Sequence, residues 1–168
     1  MEQTDSTMLA YIAGFLDGDG SIFFQIVPKK DYKIQFQIRS SIAFYQKTKY
    51  KHLLEWLHAF FGAGYIRHRK TGMSDYTIVE SQEVKRVLLL LQPYVRLKKE
   101  HVALGLEILQ HLEKKKSIND FLEICKLVDQ FKQLNYSKKR TITYETVKTV
   151  LTPVETEAKA ESLVLKQG

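Results

Sequence analysis

Apolar side chains recur along the first sixty residues with two different periods. Met8, Leu9, Ile12, Phe15 and Leu16 have helical spacing. Ser6 or Thr7 can cap the start of this helix. Ala10, Ala13 and Gly14 leave another side of it small enough for a second backbone to approach. Gly18 and Gly20 are expected to stop it at about residue 17. The period then becomes two. Tyr32, Ile34, Phe36, Ile38, Ile42 and Phe44 fall on even positions, with Lys33, Gln35, Gln37, Arg39, Ser41 and Ala43 between them. This predicts a long half-buried strand, paired through the PKKD turn with residues 21–28.

Helical spacing returns from Lys47 to Phe61, with Leu53, Leu54, Leu57, Phe60 and Phe61 inward. A second, shorter hairpin follows and turns around Lys70–Met73. The remaining pattern predicts helices at about 82–92, 97–113, 118–134 and 143–151. Residues 152–168 combine Pro153 with alternating charges and few apolar anchors, so a frayed C-terminal tail is expected after a single domain over residues 1–151. The order is helix–hairpin–helix–hairpin followed by helices. The fold class expected is α+β: a four-stranded antiparallel sheet with helices covering the face made by the even-numbered side chains.

The opposite face changes the picture from fold to function. Its residues include Phe23, Gln25, Val27, Lys29, Gln35, Gln37, Arg39, Arg67, Arg69, Asp75 and Thr77. Arginine and glutamine suit guanine and adenine edges, whereas an ordinary solvated face favours Lys, Glu and Thr. From Lys29 to Lys51 there are seven basic residues against one acid, Asp31, and the whole chain carries a formal charge of +7. Both point to a polyanionic partner, and the residue types point to nucleic acid. Composition excludes other classes. The one cysteine, Cys125, cannot form an intramolecular disulfide and fits a reducing compartment. The apolar run from Met8 to Leu16 is too short to span a membrane, and Glu2 and Asp5 precede it where a signal peptide would be positive. No membrane partner is expected.

The stretch YIAGFLDGDGSI at residues 11–22 carries the candidate chemistry. It ends an apolar helix with two aspartates, at the end of the macrodipole that disfavours carboxylates. A calcium loop of the EF-hand kind fails, because counting from Asp17 puts Ile22 at the glycine position and Pro28 at the terminal glutamate position. A plain helix-ending turn accounts for Asp17-Gly18 and leaves Asp19 unexplained. A hard-metal site fits: magnesium takes one or two carboxylates with phosphate oxygens and water, and its charge removes the electrostatic objection. One such acid per chain is too few for a complete site, so two chains would share it.

IAGFLDGDG at residues 12–20 resembles the signature of the LAGLIDADG homing endonucleases, and the single copy followed by two hairpins resembles their homodimeric, organellar intron-encoded branch. The similarity runs from about residue 8 to about residue 151 and includes LQPYVRLKKEHVAL and SKKRTITYETVK. The resemblance implies motif helices paired on a two-fold axis, with Ala13, Gly14 and Asp17 at the dimer interface. It implies that Asp19 binds the catalytic metal, with the Gly18 carbonyl as a further ligand, and that Asp17 helps close the helix end. Gln46 would order the attacking water and Lys98 would stabilise charge at the scissile phosphate. A second active-site arginine of the family aligns near Tyr50, so either Lys51 takes its place or that contact is absent.

The resemblance makes the sheet face a DNA saddle, adding Tyr32 and Ala43 to the face residues above and Lys138 and Lys139 as phosphate contacts. Strands of about ten residues span roughly 33 Å, and base pairs rise about 3.4 Å. Each subunit should follow on the order of ten base pairs, and a dimer about twenty, at a pseudo-palindromic site. The activity implied is hydrolysis of both strands of double-stranded DNA, leaving 3′ overhangs. The resemblance implies Mg2+ as the cofactor, with Mn2+ expected also to support cleavage and Ca2+ to support binding alone. An RNA-binding intron maturase and a non-catalytic DNA-binding protein are the alternatives. Asp19, Gln46 and Lys98 together favour the nuclease.

Overall fold

The structure is a computed structural model that describes residues 3–31, 33–135 and 142–151. Its elements run α1 (Gln3–Asp19), β1 (Gly20–Pro28), β2 (Phe36–Lys47), a 3-10 turn (Thr48–Tyr50), α2 (His52–Phe61), β3 (Tyr65–His68) and β4 (Met73–Ile78). Then come α3 (Ser81–Leu91), α4 (Lys99–Lys114), α5 (Ile118–Leu134) and a last helical stretch over residues 144–151. The four strands form one sheet in the order β1-β2-β4-β3. No helix among the described residues is long and apolar enough to cross a membrane.

Two compact units divide the chain. The first comprises residues 1–24 and 39–110, the second residues 25–38 and 111–168. In the first, α1 packs on α3, and α2 packs on β3 and β4. Ile12, Leu16, Ile22, Phe24, Ile42, Phe44, Leu54, Leu57, Tyr76 and Ile78 are fully buried there, so the even-numbered strand positions do form the covered face. Pairing of β2 with β4 sets Ala43 against Thr77 and Tyr45 against Asp75, while β3 sets Arg67 against Asp75. The left-handed Gly62 (φ 70°) ends α2, its N–H bonding His58 O at 2.9 Å. In the second unit, Phe121, Ile124, Cys125, Val128, Phe131 and Val147 are buried. Ser117 and Asp120 close α5 with reciprocal side-chain bonds to each other's backbone N–H.

Two elements differ from the sequence pattern. α1 runs through Asp19, so Gly18 lies inside the helix and the chain turns directly into β1 at Gly20. β2 begins at Phe36 rather than Tyr32. The connection is longer than a tight turn, and Gln35, a non-glycine residue with φ 57°, sits in the left-handed region just before the strand. Lys29 N closes this connection by donating to Gln35 O at 2.7 Å. The expected tail, residues 152–168, lies outside the described residues.

Candidate active site

The foot of α1 is built around a close approach. A Cβ on Gly20 would lie 2.6 Å from Leu16 Cδ1 and 2.8 Å from the Leu16 Cα and carbonyl oxygen, so only glycine lets the strand leave so near the helix. Beside it, the Asp17 carboxylate turns inward. Oδ2 accepts the backbone N–H groups of Arg96 at 2.6 Å and Leu97 at 3.1 Å, and Oδ1 accepts that of Lys98 at 2.9 Å. Lys98 Nζ donates in return to the Asp17 carbonyl oxygen at 2.6 Å. Burial alone would raise the Asp17 pKa, but the three N–H groups and the nearby ammonium outweigh it and hold the carboxyl below its ordinary value. What offsets the macrodipole at Asp17 is therefore the start of another helix and a lysine.

Lys98 is half-buried, and burial lowers its pKa while the charges of Asp17 and Asp19 oppose that shift. Asp19 itself is exposed, as is Gly18, and a Cβ on Gly18 would have nothing within 4 Å. Among the described residues no three His, Cys, Asp or Glu side chains cluster as a metal cage. Magnesium does not require one. An exposed carboxylate at a helix foot, beside carbonyls that helix geometry leaves without intrahelical partners, has the hard-oxygen character this cation takes.

Gln46, near the end of β2, pairs in register with Ser74 of β4, and its Oε1 accepts Lys47 N at 2.8 Å. The structure thus joins Asp17, Asp19 and Lys98 electrostatically, and gives Gln46 no hydrogen bond to them among the described residues. Lys51 is engaged elsewhere: its ammonium pairs with Glu55 at 2.7 Å. Lys49 lies over the Tyr50 ring, 4.7 Å from its centroid.

On the odd-numbered face of the first unit, Asp75 organises its neighbours. Arg69 Nε donates to Oδ1 at 2.6 Å, Arg67 Nη2 to Oδ2 at 3.2 Å, and Thr77 Oγ1 to Oδ2 at 3.2 Å. Asp75 is 1% exposed, whereas the Arg67 and Arg69 side chains are 57% and 44% exposed. Burial would raise the Asp75 pKa, and the two guanidinium groups reverse that and hold it low. The Arg69 guanidinium also lies 5.8 Å from the centre of the Tyr45 ring.

The family model for LAGLIDADG endonuclease matches residues 12–104. The chain belongs to this family. It is 40% identical over 153 residues to the DNA endonuclease I-CreI of Chlamydomonas reinhardtii, covering 90% of this chain and 93% of that one. It is 35% identical over 147 residues to the DNA endonuclease I-CvuI of Chlorella vulgaris, covering 88% and 91%. The crystal structure of the homing endonuclease I-CvuI in complex with its target in 2 mM Ca superposes with a TM-score of 0.87 at 33% identity, covering 92% of this chain and 98% of that chain. The archaeal intron-encoded I-Vdi141I shares the fold, with a TM-score of 0.77 at 19% identity.

For this LAGLIDADG chain, the residues assigned from the sequence differ in how far they are buried. Ala13, assigned to the dimer interface, is fully buried in its own unit. Asp17 spends its carboxylate on residues 96–98 of its own chain. Asp75 and Ala43 are only 1% and 4% exposed, and Asp75 holds the side chains of Arg67 and Arg69, which are open to solvent. In the first unit Phe23 is partly exposed, and Arg39, Arg67 and Arg69 are open to solvent. In the second, Gln25 and Gln35 are exposed, and Val27, Lys29 and Gln37 partly so. Tyr32, Lys138 and Lys139 lie outside the described residues. Tyr45 is a face residue that the sequence reading missed, although its odd position in β2 carries the signal.

Proposed function

We propose that this chain is a homodimeric homing endonuclease that hydrolyses both strands of a pseudo-palindromic DNA site of about twenty base pairs. The observation that carries this reading is the exposed Asp19 at the foot of the motif helix, in a chain of the LAGLIDADG family. I-CvuI with its own target in 2 mM Ca, and with the I-CreI target uncleaved in 2 mM Mg, support DNA as the partner and a divalent ion as the cofactor. The algal relatives support an organellar intron as the origin.

In this reading the Asp19 carboxylate and the Gly18 carbonyl would hold Mg2+. When bound, the cation neutralises and polarises the scissile phosphate. Lys98 places its positive charge where negative charge builds on the phosphate. Gln46 orients the attacking water. Hydrolysis adds that water across one phosphodiester bond per strand, and the family stagger leaves 3′ overhangs. Arg39, Arg67 and Arg69 read base edges, and Gln25 and Gln37 do so from the second unit.

The dimer surface follows from what α1 leaves uncovered. Ala10, Tyr11, Gly14 and Gly18 form its exposed side, and a Cβ on Gly14 would have nothing within 4 Å. Next to it an apolar hollow of about 330 Å3 is lined by Thr7, Met8, Tyr11, Leu53 and Trp56. A second copy of the helix is the occupant. The test is selection of cleaved duplexes from a randomised library in magnesium, with chelator as control. Recovery of one pseudo-palindromic site, cut only with the metal, is expected. Binding of a defined site without cutting in magnesium or manganese would reduce the protein to a DNA-binding module.

A further inference from the structure

Lys98 carries a long, flexible side chain, and a flexible cation is a poor stabiliser of charge that develops at one point. Something must hold it. The segment between α3 and α4 is anchored as far as Val95, which is buried and whose N–H bonds Leu91 O at 3.1 Å. Beyond Val95 the chain is exposed, and Leu97 is 73% exposed. Over the next three residues the backbone N–H groups of Arg96, Leu97 and Lys98 all take the Asp17 carboxylate as their acceptor. Helical bonding of α4 starts at Lys98, whose carbonyl accepts Val102 N at 3.0 Å. Asp17 therefore fixes both the first turn of α4 and the backbone from which the Lys98 side chain departs. The Asp17 carbonyl fixes the other end of that side chain, at 2.6 Å from Nζ.

We infer that Asp17 is the positioning residue of Lys98: it acts on DNA cleavage by clamping residues 96–98 to the foot of α1 and so holding the Lys98 ammonium at the end of the motif helix. The inference rests on the nuclease reading for its effect on rate, and on this geometry alone for the clamp. An asparagine at position 17 would offer one oxygen and one N–H donor to three N–H groups, so at least one contact becomes repulsive. The motif's first acid is then a part of the cleavage machinery that touches neither metal nor phosphate.

The test has two arms. On the free protein, acetylation of lysines with an amine-selective ester, followed by mass spectrometry, measures how well Lys98 is held. Lys98 should react several-fold more slowly than the adjacent exposed Lys99, and Asp17→Asn should remove most of that difference. Equal rates for Lys98 and Lys99 in the wild-type protein overturn the inference, whether or not the protein cuts DNA. On a duplex recovered from the library selection, single-turnover cleavage in magnesium is measured for Asp17→Asn, Lys98→Met and the double variant. Asp17→Asn should slow cleavage by at least about tenfold with binding in calcium within about threefold, and should slow Lys98→Met no further. If the double variant is slower than Lys98→Met by the full Asp17→Asn factor, Asp17 acts independently of Lys98 and the inference fails. Should Asp17→Asn not fold, Asp17→Ser, which keeps one acceptor, is put through both arms with the same criteria. A wild-type protein that cuts no site refutes the nuclease reading, while the acetylation arm still decides the clamp.

Discussion

Asp17 and Asp19 stand two residues apart in the last turn of one helix, and their surroundings assign them opposite work. Asp17 faces inward and satisfies three backbone donors of its own chain, whereas Asp19 faces solvent. Asp19→Asn keeps the side-chain volume and loses the charge a hard cation needs. Cleavage should be abolished, with target binding retained within about tenfold, or roughly 1.4 kcal/mol. Normal cutting by this variant in magnesium would remove Asp19 from the active site. Asp75 is the other acid whose role depends on burial. Its carboxyl titrates below the ordinary 3.8, so its stabilising effect is complete above that value and is lost as pH falls through the depressed one. Asp75→Asn should cost about 1–3 kcal/mol at neutral pH and flatten the acid limb of the stability curve. It should also loosen base preference at the positions read by Arg67 and Arg69. Chemical denaturation from neutral pH down to pH 3 checks the first effect, and unchanged acid sensitivity contradicts it. The alternation of the strands makes these face positions legible in the sequence. The burial of Asp75 is not legible there, because a period of two says which side a residue takes and not how its neighbours close over it.

At the scale of elements, α1 shows where pattern reading runs out. Helical spacing correctly identifies its inner face through Leu9, Ile12 and Leu16. It does not separate Ala13 from Gly14, one residue apart at the edge of that face. Ala13 is in the core, and Gly14 looks outward with space around it. A glycine inside a helix costs roughly 0.5–1 kcal/mol relative to alanine. Within one chain nothing offsets that cost, and close packing of two α1 helices would. Gly14→Leu should therefore leave the monomer folded while raising the dimer dissociation constant and slowing cleavage in parallel. Sedimentation and cleavage at matched protein concentrations test this. A Gly14→Leu dimer as tight as wild type would move the interface off this side of α1. The start of β2 is illegible for a different reason. Tyr32 and Ile34 continue the even-numbered apolar pattern, yet Gln35 adopts a left-handed φ, which amino-acid type at that position does not signal.

At the scale of the whole molecule, the +7 charge and the arginines of the sheet face do separable things. Net charge attracts any nucleic acid and is screened by salt, because binding releases counterions in proportion to the phosphates neutralised. A guanidinium donating two bonds to guanine O6 and N7 adds preference that depends on sequence. Arg39 is exposed on β2, in the first unit, and does not share the buried carboxylate that holds Arg67 and Arg69. It is thus the simplest probe of the second effect. Arg39→Ala should relax preference at one or two positions of each half-site, by about 1–3 kcal/mol per position. Because each substitution occurs in both subunits, the relaxed positions should be related by the two-fold of the site. The slope of log affinity against log salt should change little if Arg39 reads a base. If Arg39 holds the backbone, the slope should fall by on the order of one for each phosphate left without its cation. A base-substitution scan of the selected site in calcium, at two salt concentrations, measures both quantities in one experiment. Uniform weakening across all sequences, with a reduced slope and intact base preferences, would show that Arg39 grips phosphate and does not read the sequence.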